Sequence, residues 1–296
     1  MGYLCAIIAT SYGRIGDNVN AIRFAGEAGK LSAEDNYVQE VLKYCKEKLF
    51  WLVEQDRKSD AYAMMQIGLG IWPDDSRLLA YMAGLEIELN KNYELGKSYM
   101  KKAFEFNTAD LDLLYEIKGA LWYDYLNEKG EGLACLEKAV SLNRSSFNLT
   151  ALASRLIDTE CERAEELLEE AVRLAPKDAD ILCYLAEIAL KEKNWARAFE
   201  LGAKADSLKP DDPHITAALG RAQFNMGEFT EALSYYLKAD SLNHPEKAEI
   251  YLQTAKCHQK LGDPEKSKAY IEKALAVNPD YPEARELLTQ IDTENL

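Results

Sequence analysis

The chain has 296 residues, of which 48% are hydrophobic and 29% charged, a composition typical of folded proteins rather than disordered ones. It carries 50 acidic and 35 basic residues, a net charge of −15. Nucleic acids and anionic membrane surfaces bind clustered lysine and arginine, so this charge argues against both as ligands and favours neutral or basic partners.

The six cysteines, at positions 5, 45, 135, 161, 183 and 257, form no Cys-x-x-Cys pair. Each falls in a helical pattern at a place that suits a small apolar side chain, which predicts reduced, packed thiols and a cytoplasmic location. No apolar stretch approaches the ~20 residues that cross a bilayer. The apolar run 3–9 lacks a preceding basic residue and is better interpreted as part of a helix, although a removed leader is left open.

From the N-terminus onward the chain reads as a series of similar units, each with two amphipathic helices joined by a short polar turn. The clearest turns are Met226-Gly227-Glu228 and Leu261-Gly262-Asp263. Residues 282–293 predict one further helix, which would cover the apolar face of the last unit. The predicted units are residues 2–35, 42–75, 77–110, 113–146, 147–178, 179–212, 213–247 and 248–281.

Two positions of this repeating frame are always small. Position 27 holds Ala28, Gly68, Ala103, Ala139, Ala171, Ala205, Ala239 and Ala274, and position 20 holds Ala21, Ala61, Gly96, Gly132, Ala164, Ala198, Ala232 and Ser267. We interpret these as sites where helices approach closely, because a larger side chain would overpack the crossing at a cost of roughly 1–3 kcal/mol.

The spacing of the position-27 residues is irregular at two places. A step of 40 residues includes about six extra residues near 35–40, which predicts a longer first helix in the second unit. A step of 32 residues predicts a shortened turn around 158–162.

The period of 34 or 35 residues, the small residues at positions 20 and 27, and proline at position 32 in four units (Pro73, Pro176, Pro210 and Pro279) resemble the tetratricopeptide repeat family. The resemblance implies an all-α, right-handed α-solenoid of about eight helix-turn-helix repeats with a C-terminal capping helix. It also implies a single array over residues 1–296.

The residues suggest no catalytic or cofactor site. His214, His244 and His258 show no zinc-binding spacing, and the glycine-rich stretches 68–70 and 130–132 lack the Lys-Ser/Thr of a phosphate loop. Ser145-Ser146 is predicted to cap the helix that follows. We therefore predict a chain that is not an enzyme and binds no metal or cofactor.

In this family the first helix of each repeat lines a concave groove, and the resemblance implies that a protein or peptide binds there. The early part of the groove would be apolar and aromatic, which favours partners with hydrophobic anchors, and the later part polar. The implied groove residues are Phe50, Tyr81, Leu85, Leu121, Asp124, Tyr125, Glu187, Arg221, Phe224, Asn225 and Lys256. The two leucines could equally pack on neighbouring helices.

Three of these residues, Arg221, Asn225 and Lys256, are similar to the set with which some family members hold the C-terminal carboxylate of a chaperone. Ala217 and Leu252 stand where that set needs basic residues, so the pattern is not met. The predicted function is a non-enzymatic scaffold or adaptor. Two alternatives are open: a regulatory or substrate-presenting subunit of an enzyme complex, and a self-associating structural solenoid.

Overall fold

The computed structural model describes residues 1–54, 58–106 and 110–294, and all regular secondary structure in these ranges is α-helical. Seventeen helices occur there: α1 (Gly2–Arg14), α2 (Asn18–Leu31), α3 (Asn36–Glu54), α4 (Lys58–Ile71), α5 (Ser76–Glu88), α6 (Tyr93–Phe106), α7 (Leu111–Asp124), α8 (Lys129–Leu142), α9 (Ser146–Leu156), α10 (Cys161–Leu174), α11 (Ala179–Lys191), α12 (Trp195–Leu208), α13 (Pro213–Met226), α14 (Phe229–Ser241), α15 (Lys247–Lys260), α16 (Pro264–Val277) and α17 (Pro282–Glu294).

The helices pack as two compact units, Met1–Arg144 with α1–α8 and Ser145–Leu296 with α9–α17. Within each unit, consecutive helices form pairs, and each pair packs on the next. The fold is the all-α helical repeat solenoid that the sequence predicts. That residues 1–296 form one continuous array stays a prediction.

The sixteen small residues at repeat positions 20 and 27 are all buried. The close approach is visible at two of these glycines: a Cβ built on Gly96 would lie 2.5 Å from Cγ1 of Ile87, and one on Gly132 would lie 2.8 Å from the backbone nitrogen of Tyr123. Carbon atoms in contact are normally about 3.5–4.0 Å apart. The helices therefore approach one another closely because these residues are small.

The turn inside most pairs uses one residue in the left-handed region of backbone space. The turns predicted at Gly227 and Gly262 have φ values of 89° and 78°, which glycine adopts without a steric penalty. The residues at the same repeat position are Gly16, Lys91, Asn127, Lys193, Gly227 and Gly262. The backbone geometry of this turn is thus kept even where the residue is not glycine.

Several helices begin with a side-chain cap. The oxygens of Asp75, Asp178 and Asp212 accept hydrogen bonds from backbone N–H groups of the first turns of α5, α11 and α13. Each of these aspartates stands two residues after a proline, so proline ends one pair and aspartate starts the next. The predicted cap at Ser145 is confirmed, since its Oγ accepts from the backbone N–H of Asn148.

The two predictions made from irregular repeat spacing have different outcomes. The predicted long helix is confirmed, because α3 has 19 residues. The predicted short turn is wrong: residues 157–160 separate α9 from α10, whereas residues 192–194 suffice between α11 and α12. The missing residues come instead from α9, which has only 11 residues.

The predicted capping helix is confirmed as α17. Its residues Ala284, Leu287 and Ile291 are buried in one cluster with Leu252 of α15 and Ile271 of α16. The last helix pair thereby has its apolar face covered.

Candidate partner-binding groove

Helices α5 and α7 of the N-terminal unit pack side by side and border a cavity of about 180 Å³. Both are the first helices of their pairs, so the cavity lies on the side that the sequence assigned to the groove. We call it the groove cavity. Its lining is Tyr81, Gly84, Leu85 and Glu88 of α5, Glu116, Ile117, Ala120 and Leu121 of α7, and Lys58 at the start of α4.

The groove cavity has an apolar floor. Leu85 is 2% exposed and Leu121 is 4% exposed, so these two leucines belong to the core and offer little surface to a partner. Both nevertheless line the cavity, so their role as contacts of a partner stays a prediction. Tyr81 is half-buried, packs against the core cluster of α1–α5 and forms one wall.

Polar groups stand at one end of α5 and α7. Nζ of Lys58 pairs with Oε2 of Glu88 at 2.8 Å, and Nζ of Lys91 lies 5.8 Å from the centre of the Tyr125 ring. Burial, followed by the nearby Glu88 carboxylate, raises the pKa of the Tyr125 hydroxyl, which therefore stays protonated and can donate a hydrogen bond. Tyr125 is 40% exposed, and Asp124 is exposed as well.

Of the nine residues that line the groove cavity, the predicted groove set contains three, Tyr81, Leu85 and Leu121. Lys58 lies on α4, the second helix of its pair, so the rule that first helices line the groove does not predict it. Glu116 is buried despite its charge, which helical spacing alone does not indicate. Phe50 falls in α3, and its side chain lies outside the described part of the structure.

The predicted groove residues of the C-terminal unit are engaged within the protein. Nη2 of Arg221 in α13 lies 3.5 Å from Oε1 of Glu187 in α11, and Nδ2 of Asn225 donates to the backbone oxygen of Arg221 at 2.7 Å. The Phe224 ring packs against the Phe229 ring, with 5.2 Å between centres.

Lys256 of the same unit is tied to the capping helix, because its Nζ pairs with Glu283 of α17 at 2.6 Å. The two positions that lack the basic residues of a carboxylate-binding set, Ala217 and Leu252, are 4% and 0% exposed. These contacts favour structural roles for this group of residues over a free binding surface.

Two of the three histidines lie together. The rings of His214 and His244 are 4.7 Å apart between centres, and Nδ1 of His244 accepts a hydrogen bond from the backbone N–H of Glu246. In residues 1–54, 58–106 and 110–294 no group of three or more His, Cys, Asp or Glu side chains is arranged to hold a metal ion.

The environment of His244 predicts a pH-dependent stability. Burial and then the neighbouring His214 lower the pKa of His244, and burial lowers that of His258, from an ordinary value of about 6.5. Just below pH 6.5 the unfolded chain therefore binds more protons than the folded chain, so stability present above that pH is lost as the pH falls. We expect the thermal midpoint to decrease between pH 7.5 and 5.5, and to decrease less in His244→Gln. Parallel pH profiles of the two proteins would contradict this assignment.

All six cysteines are free; four of them are buried as predicted, whereas Cys5 and Cys161 are only partly buried. Burial raises the pKa of Cys45 to about 11 and those of Cys183 and Cys257 to about 12, so these thiols stay protonated. Among the helices of the described ranges, none is long and apolar enough to span a membrane.

Comparison with known proteins identifies the repeat. Models of the tetratricopeptide repeat match residues 159–213, 216–244 and 248–281. These ranges lie in the C-terminal unit, and the same spacing and helix pairing extend through α1–α8. Residues 159–281 therefore carry tetratricopeptide repeats, which support a protein–protein interaction module built on a fold that is generally a non-catalytic scaffold.

Individual relatives are distant. Human protein O-mannosyl-transferase TMTC1 is 26% identical over 182 residues, which are 59% of this chain but only 20% of that protein. The crystal structure of the APC/C hetero-tetramer Cut9-Hcn1 matches with a TM-score of 0.74 at 15% identity, covering 96% of this chain and 54% of that one. PilW, a type IV pilus biogenesis factor, matches with a TM-score of 0.60 at 16% identity, covering 72% and 98%. The structural matches show the fold.

Proposed function

We propose that the chain is a scaffold or adaptor that holds a segment of another protein against the groove cavity of the N-terminal unit. The observation that carries this proposal is the cavity itself: an apolar space between two first helices, with half-exposed tyrosines at its side and a polar edge. Concave sites that recognise ligands combine an apolar lining with a few polar groups in this way.

The distribution of contacts favours the N-terminal unit over the C-terminal one. Arg221 and Lys256 of the C-terminal unit are paired with acids of the same chain, whereas in the N-terminal unit Tyr81 lines an apolar cavity and the 40% exposed Tyr125 lies beside Glu88 at its edge. Tyrosine is enriched at the centres of protein interfaces because its ring is large and rigid and its hydroxyl can bind a polar partner. The partner is therefore a protein or peptide with hydrophobic anchors, and the chain itself performs no reaction. A cytoplasmic location follows from the reduced thiols as a further part of the proposal.

A pull-down with the full chain tests the function. We expect the double variant Tyr81→Ala/Tyr125→Ala to lose the partner proteins that the wild type retains from lysate of the source cells, because Tyr81 lines the cavity and Tyr125 lies beside its edge residue Glu88. The matched control is Tyr93→Ala: Tyr93 is 42% exposed on α6 and does not line the cavity, while Tyr125 is 40% exposed. Retention of every partner by the double variant, with its circular dichroism unchanged, would rule out this binding site.

Self-association is a second candidate, favoured by one surface. On α1, Leu4, Ile7 and Ile8 are 58%, 39% and 39% exposed, and Ile15 just after it is 77% exposed. If this face packs on another copy, light scattering will give a mass above the 33.4 kDa of one chain. A mass of one chain across a wide range of concentrations would remove this candidate.

A further inference from the structure

The size of the groove cavity limits what can enter it. Its volume is about 180 Å³. An apolar cavity of roughly 150 Å³ is large enough to bind a benzene ring. The groove cavity therefore has room for one side chain of the size of phenylalanine or leucine.

Gly84 keeps this space open without being required by helix packing. A Cβ built on Gly84 would meet its nearest neighbour, Leu121, at 3.8 Å, which is an ordinary contact. At the same repeat position, a Cβ on Gly220 would approach the Tyr236 ring to 3.0 Å, so glycine is needed there for packing. Glycine inside a helix is destabilising relative to alanine. Glycine at position 84 leaves the cavity open, so an incoming side chain can occupy the space that a larger residue would fill.

The charges beside the groove cavity indicate what flanks that side chain. The edge holds the Lys58–Glu88 pair, with Tyr125 beside Glu88 and Lys91 near the Tyr125 ring, within a unit that has 22 acidic and 17 basic residues, a net charge of −5. A carboxylate has about four lone-pair sites, so Glu88 can accept from a further donor while it is paired with Lys58. A basic group is thus favoured at this edge, and an acidic one is disfavoured.

We propose that the groove cavity takes one phenylalanine- or leucine-sized side chain of the partner segment, and that Glu88 binds a lysine or arginine close to it in the same segment. This specificity rests on the proposed function. The apolar side chain supplies the affinity, because it leaves water completely, and the basic residue fixes the direction in which the segment lies.

Selection from a library of random dodecapeptides displayed on phage tests the specificity, with the immobilised full chain as bait. We expect the wild type to enrich peptides with phenylalanine or leucine next to, or two residues from, a lysine or arginine. A synthetic peptide of the enriched sequence should bind Gly84→Leu at least about tenfold more weakly, because the new side chain fills the cavity. Gly130→Leu is the matched control: Gly130 is also in a helix, and a Cβ there meets nothing within 4 Å.

Further variants separate the two halves of the proposal. Ala120→Leu fills the same cavity from α7 and replaces Gly84→Leu if that variant does not fold. Glu88→Gln should weaken binding of the synthetic peptide several-fold, and should have a smaller effect once the peptide's basic residue is changed to alanine. If Glu88→Gln weakens binding equally for the peptide with its basic residue and for the peptide with alanine in its place, the role of Glu88 is overturned.

Two outcomes would overturn the role of the cavity. One is enrichment of the same peptides by wild type and both cavity-filling variants, in which case peptides bind outside the cavity and only the general role of a scaffold or adaptor stands. The other is no enriched peptide at all while the pull-down still depends on Tyr81 and Tyr125. The proposed function fails separately, if the Tyr81→Ala/Tyr125→Ala variant retains the same partner proteins as the wild type in the pull-down.

Discussion

Replacing Gly132 by alanine is expected to destabilise the N-terminal unit by roughly 1–3 kcal/mol, the usual cost of overpacking a core. The added methyl group would lie 2.8 Å from the backbone nitrogen of Tyr123 and 2.9 Å from the backbone oxygen of Gly119, both on α7. Backbone atoms cannot rotate away as a side chain can, so α7 and α8 must separate. Urea denaturation followed by circular dichroism measures the effect as a lower midpoint.

The same helix provides the control. Gly130 stands two residues before Gly132 in α8, and a Cβ there meets nothing within 4 Å. Gly130→Ala is therefore expected to leave the free energy of unfolding unchanged or raise it by up to about 1 kcal/mol, because alanine restricts the unfolded chain. Equal shifts of the midpoint for the two variants would show that α7 and α8 are not packed as described.

Ala198→Leu is expected to destabilise the C-terminal unit, also by roughly 1–3 kcal/mol. Ala198 of α12 is 2% exposed and shares a small cluster with Ala189 of α11 and Ala222 of α13, both fully buried. A leucine there has to push apart three helices that meet on alanine. Each alanine side chain at this crossing is a single methyl group, so none of them can rotate aside to make room for the larger leucine.

Ala203→Leu is the matched variant, since Ala203 is on the same helix and exposed. Leucine and alanine have similar helix propensities, so this change should move the thermal midpoint very little. If Ala198→Leu and Ala203→Leu melt at the same temperature, the repeat frame is misplaced, because the frame assigns Ala198 to a helix crossing and Ala203 to solvent.

The fold could be predicted because its determinants recur along the chain. Small residues return at two repeat positions, and each marks a helix crossing whose geometry tolerates nothing larger, as Gly96 and Gly132 show. Glycine at Gly227 and Gly262 marked the turns between paired helices. The aspartates that cap α5, α11 and α13 were visible as Pro-x-Asp and were missed, although their physical role is as general as that of proline.

The candidate site was only partly predictable, because it depends on contacts between repeats. Periodicity assigned Leu85 and Leu121 to the groove, but it cannot tell a side chain on the floor of a cavity from one that protrudes into it. The pairing of Lys256 with Glu283 depends on the position of α17 relative to α15, and spacing within a repeat carries no such information. Helix α9 likewise shows that a short repeat spacing can come from a shorter helix rather than from a shorter connection.

Photo-crosslinking tests most directly whether another protein occupies the groove cavity. The photoreactive residue p-benzoylphenylalanine is placed at position 81 in one protein and at the exposed position 138 of α8 in another, and each is irradiated in cells. We predict crosslinks from position 81 to a segment of a different protein, identified by mass spectrometry, and few from position 138. Crosslinks from position 138 alone, or from position 81 only to a second copy of this chain, would contradict the account.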